Sequence, residues 1–307
     1  MNKDNQINES INLRLERSCK SSASAQIISA PVVSGLSRIQ ARFVGDFFEP
    51  HRHDTYALGL TMQGIQAFGY RGDRRYSQPG QIIVLHPDEL HDGGSGTDEG
   101  LLYRMLYLEP SLIREALGEN FITLPFVETP ILDDPDLQTA MVTALGELEN
   151  NLSDLARDDT ISQVAHCLVR HAKGPKPSAL KTNNAAVDKA KDFLYENACR
   201  NVHSEELEKV TDMDRFTLSR HFRRAFGTSP HRFLLMRRLE FARKLIEEAQ
   251  PLADVAFTVG FADQSHLNRH FKKAYGISPG QWGRYCNNKK SLRDNSHTLL
   301  ASSLVIP

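Results

Sequence analysis

Residues 219–234, SRHFRRAFGTSPHRFL, recur 49 positions later as NRHFKKAYGISPGQWG at residues 268–283. A chain that repeats a basic segment this closely builds its C-terminal third from two copies of one unit. In that register Arg220 meets Arg269, His221 meets His270, Phe222 meets Phe271, Arg223 and Arg224 meet Lys272 and Lys273, and Phe226 meets Tyr275. Upstream, Leu207 meets Ala256, Val210 meets Val259, Asp214 meets Asp263 and Leu218 meets Leu267, so the copied unit is longer than one helix. Two copies are too few for a solenoid.

Each copy reads as helix, tight turn, helix, because apolar positions recur at helical spacing on both sides of a short break. In the second copy Leu252, Val255, Ala256 and Val259 form one stripe, Gly260 ends it, and Asp263 is placed to cap a helix that buries Leu267, Phe271 and Ala274. In the first copy the break falls near Asp212, the cap is Asp214, and the buried side is Leu218, Phe222 and Ala225. Gly227 and Gly276 stop the second helices, and the Ser-Pro that follows restarts a helix with proline in its first turn.

The face left over on each second helix carries the functional signal. Phe216, Ser219, Arg220 and Arg223 lie at i, i+3, i+4 and i+7, and Ser265, Asn268, Arg269 and Lys272 repeat that spacing. With Thr217 and His266 these are side chains suited to base edges and phosphates: arginine pairs with guanine, asparagine with adenine, and lysine meets phosphate as a point charge. A lone basic helix is more often a solvated surface; its duplication favours DNA. Residues 229–248 then form a rod of about 30 Å at 1.5 Å per residue, enough to set two readers about one DNA turn apart.

The stretch GFADQSHLNRHFKKAYGISPGQW closely resembles the signature of AraC/XylS-type transcription regulators. The resemblance covers residues 185–286 and implies two helix-turn-helix units on a long helix, reading successive major grooves of promoter DNA. It also implies an effector-responsive activator that contacts RNA polymerase, and a homodimer.

Charge divides the chain at the same place. Residues 185–290 hold 19 Lys and Arg against 13 Asp and Glu, leaving 18 against 25 of the chain's 37 and 38 for the remainder. A near-neutral total therefore conceals a basic module joined to an acidic one. The length of 307 residues suits two domains. Cys19, Cys167, Cys199 and Cys286 are scattered without metal or disulfide spacing, and no apolar run approaches the ~20 residues that span a bilayer. A cytoplasmic protein without membrane contact is the expectation.

Residues 38–108 change to short apolar segments separated by turns, the pattern of a small β-barrel or double sheet. His51, His53, Asp54, Gly64, Pro79-Gly80 and Pro87 to His91 follow the order of the two motifs of a cupin, which this region resembles. His51, His53 and His91 could form a three-imidazole metal set. The metal-binding cupin pattern, however, expects a glutamate shortly after the second histidine, where this chain has Tyr56, Ala57 and Leu58. No metal, cofactor or catalytic residue is therefore assigned. A cupin-type metal-dependent enzyme tethered to DNA and a ligand-independent DNA-binding protein are the alternatives. Regulators of the resembled family hold a small effector in this barrel, which makes His51, His53, Tyr56 and His91 the expected pocket residues. Arg42, Tyr103 and Arg104 face the pocket or not according to strand register.

Residues 110–117 and then 135–171 read as one short and two longer helices, either packed on the barrel or serving a dimer interface. The expected architecture is α+β with two domains: an N-terminal cupin-like β-barrel with flanking helices, and a C-terminal all-α tandem helix-turn-helix domain. The boundaries are a flexible arm at 1–30, the effector and dimerisation domain at 31–172, a linker at 173–184, the DNA-binding domain at 185–286 and a tail at 287–307.

Overall fold

A computed structural model of the chain describes residues 25–33, 35–118, 123–146, 148–150, 152–172 and 184–286. The linker, apart from Asn184, and the C-terminal tail lie outside these residues, as does most of the arm.

Among the described residues ten strands run β1 Gln26–Ser29, β2 Leu36–Phe43, β3 Asp46–His51, β4 Tyr56–Gln63, β5 Gln66–Tyr70, β6 Asp73–Ser77, β7 Ile82–Leu85, β8 His91–Ser95, β9 Leu101–Leu108 and β10 Ile131–Leu132. They form a six-stranded sheet, ordered β1-β2-β9-β4-β7-β10, and a four-stranded sheet, ordered β3-β8-β5-β6. The segment assigned to a flexible arm needs correction at its end, because β1 pairs antiparallel with β2, Gln26 opposite Arg42 and Ser29 opposite Ile39.

Both faces of the larger sheet are covered, which is why its strands read as apolar runs. Ala57 on β4, Ile83 and Leu85 on β7, and Tyr103 and Met105 on β9 join one core between the sheets. Their neighbours of opposite phase, Tyr56, Leu58, Leu60, Ile82, Val84 and Leu106, enter a second core beneath helices. Those helices are α1 Pro110–Leu117, α2 Pro135–Leu145 and α3 Asp154–His171. Leu137, Met141 and Leu145 of α2 and Ile161, Val164 and Leu168 of α3 are buried there, so the stripes anticipated for packing or dimerisation pack on the sheet. Arg38 donates to Ala144 O at 2.9 Å, and Arg104 to Leu145 O at 2.6 Å. Two strand arginines thus satisfy the last carbonyls of α2, which fixes Arg104 on the helix side of the sheet.

Among the described residues from 184 onward every regular element is a helix: α4 Asn184–Glu196, α5 Ser204–Thr211, α6 Arg215–Phe226, α7 Pro230–Glu247, α8 Leu252–Thr258 and α9 Gln264–Tyr275. Asp214 caps α6 by accepting from Phe216 N and Thr217 N, and Asp263 caps α9 by accepting from His266 N. Asp212 ends α5 in the left-handed region, and Gly227 and Gly276 end α6 and α9 there. Every punctuation mark anticipated from the repeat is in place. The first unit has its own core around Leu218, Phe222 and Phe233. The core of the second, with Leu239, Val255, Phe271 and Trp282, is continuous with the interior of the strand domain.

Candidate nucleic-acid interface and ligand pocket

On α6, Phe216, Arg220 and Arg223 are exposed while Thr217 and Ser219 are half-buried; on α9, Ser265, Asn268 and Arg269 are exposed while His266 and Lys272 are half-buried. The opposite faces are sealed by Leu218 with Phe222 and by Leu267 with Phe271, each 1% exposed or less. Helical spacing alone therefore points both stripes outward. Their members differ in freedom. Arg220 Nη2 donates to Thr217 Oγ1 at 2.9 Å, so Thr217 steers an arginine rather than standing alone. The His266 ring packs against Phe261 and His270, with centroids 5.3 and 4.7 Å away. Arg223 and Arg269 have no ion-pair partner among the described residues. Phe216 is 71% exposed, with the Arg215 guanidinium over its ring.

The C-terminal ends of both outward-facing helices meet the strand domain. A Cβ on Gly276 would stand 2.8 Å from His51 Nδ1, and one on Gly227 would stand 2.9 Å from Pro87 Cβ. Backbone bonds fasten β3 to α9: Glu49 N donates to Gly276 O at 3.0 Å and Arg52 N to Lys273 O at 3.2 Å. Lys272 pairs with Glu49 at 2.8 Å, and Arg232 with Asp88 at 2.5 Å. At the centre of the contact Arg237 of α7, 1% exposed, binds Asp54 at 2.9 Å, Glu240 at 3.0 Å and Glu109.

Above this contact lies a pocket walled from both sides. The strand domain contributes Ile39, Leu85, Tyr103 and Tyr107 with the three histidines, and the helical domain contributes Met236, Glu240, Arg243, Tyr275 and Trp282. His51, His53 and His91 converge in it, with ring centroids 4.3, 4.7 and 6.2 Å apart. Each Nδ1 lies against a backbone carbonyl: Glu49 O at 2.7 Å, Thr55 O at 3.0 Å and Glu89 O at 2.9 Å. A carbonyl can only accept, so each Nδ1 carries the proton and each Nε2 keeps its lone pair. Burial holds the rings neutral, taking His51 down to about 4, His53 down to about 3 and His91 well below its ordinary value.

Tyr56 does not join them. The two-residue period of β4 turns it outward with Leu58, where its hydroxyl donates to Pro125 O at 2.7 Å. Tyr103 does face the pocket, while Arg42 is exposed. Sequence reasoning overlooked the whole helical wall. The available signal was charge on the apolar face of α7, where Arg237, Glu240 and Arg243 alternate with Met236, Leu239 and Ala242.

The chain matches two family models, the AraC-like ligand binding domain over residues 33–165 and a helix-turn-helix domain over residues 207–285. It is similar to the HTH-type transcriptional regulator YbfI of Bacillus subtilis strain 168, at 25% identity over 230 residues that cover 71% of this chain and 81% of that protein. It is also similar to the HTH-type transcriptional activator RhaS of Klebsiella pneumoniae strain 342, at 23% identity over 239 residues, 74% of this chain and 84% of that one. Its fold resembles that of ToxT from Vibrio cholerae, with a TM-score of 0.60 and 15% identity over 82% of this chain and 99% of that one. No helix among the described residues is long and apolar enough to cross a membrane.

Proposed function

The chain belongs to the AraC-type transcriptional regulators, and on that premise we propose that it reads promoter DNA with α6 and α9 under the control of an effector held between its domains. It is a DNA-binding regulator with a ligand-binding domain, and not an enzyme. Ser219, Arg220 and Arg223, with Phe216 and Thr217, enter one major groove; Ser265, His266, Asn268, Arg269 and Lys272 enter the next. The observation that carries the control is the pocket whose walls come from both domains. An effector that touches β-strand and α7 side chains together has differential affinity for the docked arrangement, and that difference is what shifts a conformational equilibrium. His51, His53 and His91 are its polar contacts on the strand side. Activation through RNA polymerase, assembly as a homodimer and a cytoplasmic location complete the proposal, the first supported by likeness to a named activator.

Retention of sheared genomic DNA by the purified chain tests the reading. Sharp enrichment upstream of a few genes is expected; uniform recovery at physiological salt overturns sequence-specific regulation. Titration of an effector with and without a retained promoter fragment tests the coupling, which equal affinities would refute.

A further inference from the structure

The pocket has an excess of acceptors and of negative charge. Arg237 is the one guanidinium that forms ion pairs with Asp54, Glu109 and Glu240 among the described residues, so three carboxyl groups share a single directly bonded arginine. Asp54 is 2% exposed and lines the pocket, and its Oδ1 has no hydrogen-bond partner. The second pocket arginine, Arg243, acts on Glu240 only through space: its ion pair is with Glu247 at 3.8 Å, and it lies over the rings of Tyr275 and Trp282. His51, His53 and His91, 9%, 5% and 5% exposed, add three Nε2 lone pairs with no donor facing them among the described residues.

We propose that the effector is a small organic cation, a protonated primary amine on an apolar body, whose ammonium donates to the histidine Nε2 atoms and supplies the charge that Asp54 and Glu240 lack. This rests on the proposal that the pocket is the effector site. The chemistry selects among ligand classes. An alcohol brings one donor and no charge, and a carboxylate adds acceptors to acceptors. An ammonium brings three donors and a positive charge, and the aromatic side chains of Phe48 and Tyr107 in the pocket lining suit a cation. Among the described residues no group of histidine, cysteine and acidic side chains is arranged to hold a metal ion, whereas an ammonium tolerates looser geometry. Ile39, Ile83, Leu85, Met105 and Met236 receive the apolar body.

Burial raises the Asp54 and Glu240 carboxyls, Glu240 to about 7. Protons therefore partly fill the role of the cation in the free protein, and an entering ammonium releases them.

Trp282, the single tryptophan of the chain, lines the pocket and reports occupancy by its fluorescence. Three probes that share a phenethyl body are titrated into the full chain: phenethylamine, phenethyl alcohol and hydrocinnamate. The amine is expected to bind at least about tenfold more tightly than either other probe, the factor that about 1.4 kcal/mol produces. Calorimetry in two buffers of different ionisation enthalpy should show proton release at about pH 7 for the amine alone. Asp54→Asn with Glu240→Gln should abolish both the preference and the proton release. The comparison of wild-type probes decides the matter even if that variant folds poorly. Equal binding of the three, preference for the carboxylate, no binding of the amine at millimolar concentration, or a response only to zinc ions overturns the proposal. Retention of promoter DNA by the same preparation judges the regulator reading separately, because neither α6 nor α9 base-facing side chains enter this assay.

Discussion

Arg220 and Arg269 stand at the same place in two copies, yet only Arg220 is steered by a neighbouring hydroxyl, Thr217 Oγ1 at 2.9 Å. Arg269 is free to form both bonds of a guanine contact. Arg269→Ala is expected to lose about 1–3 kcal/mol on the cognate promoter and to relax preference at one base pair, measured by competition against single-position variants. An equal loss on random DNA would reassign Arg269 to phosphate. Lys272 behaves differently, because Glu49 already neutralises it at 2.8 Å across a half-exposed contact. Such pairs are worth roughly 0–1 kcal/mol, so phosphate can compete for the lysine. Glu49→Gln should therefore tighten binding to all sequences by up to about fivefold at low salt, with the gain fading as salt screens it. Unchanged non-specific affinity would show that Glu49 does not restrain Lys272.

At the scale of elements, the repeat was readable because its signals are local: apolar period, aspartate caps and left-handed glycines all lie within a few residues of what they control. The strand domain was less so. β6, DRRYS, is exposed along most of its length, and β8, HDGGS, has no branched or aromatic residue to mark it as a strand, so both pass for turns in sequence. Tyr56 was misplaced for a related reason: when both faces of a strand are buried, composition no longer tells in from out, and only register does. The end of α9 offers a test of how tightly the elements meet. Gly276→Ala and Gly72→Ala both force alanine to positive φ, 73° and 88°, at about 1–2 kcal/mol. A Cβ at position 72 meets nothing within 4 Å, whereas one at 276 meets His51 Nδ1 and Glu49 O. Gly276→Ala should thus lower the melting temperature more than Gly72→Ala; equal shifts would mean that α9 does not press on β3. The buried histidines set a pH dependence. His51, His53, His86 and His91 are held below their ordinary values chiefly by burial, so below about 6.5 the unfolded chain binds more protons than the folded one. Each contributes a loss of stability as pH falls, His51 and His86 from about 6.5 to about 4. Glu240, raised by burial to about 7, acts oppositely and loses stability as pH rises from its ordinary value towards 7, as does Asp54 over a range above its own. With the opposing carboxyls removed by Asp54→Asn with Glu240→Gln, denaturant melts should show stability falling between about pH 6.5 and 4. A flat profile would place the imidazoles in solvent.

At the scale of the whole molecule, the pocket could not be read from sequence because it belongs to neither domain alone. Asp54, Glu109 and Arg237 are separated by as many as 183 positions, and no period or motif connects them. Their meeting puts one guanidinium at the centre of the docked arrangement. Removing one partner from a buried ion pair typically costs about 3–5 kcal/mol, because the charge left behind has neither water nor counter-ion. Arg237→Met keeps an unbranched apolar stem but removes the guanidinium, whose Cζ lies 4.7 Å from the Phe233 ring centroid, and leaves three carboxyl groups without their shared arginine. Each domain retains its own strand pairing or helical caps, so the expected response is separation rather than global unfolding. Amide exchange distinguishes the two. The Glu49 and Arg52 N–H groups, whose acceptors are Gly276 O and Lys273 O, should lose protection, while those of the β2–β9 ladder keep theirs. Loss of protection in both would mean that the variant unfolds, and loss in neither would mean that the apolar core shared by the strand domain and the second helix-turn-helix unit holds the domains without the charges. In the first outcome α6 and α9 are released from Pro87 and His51 together, and promoter affinity measured on the same variant then tells whether docking restrains the readers or sets their spacing: tighter binding for restraint, weaker binding for spacing.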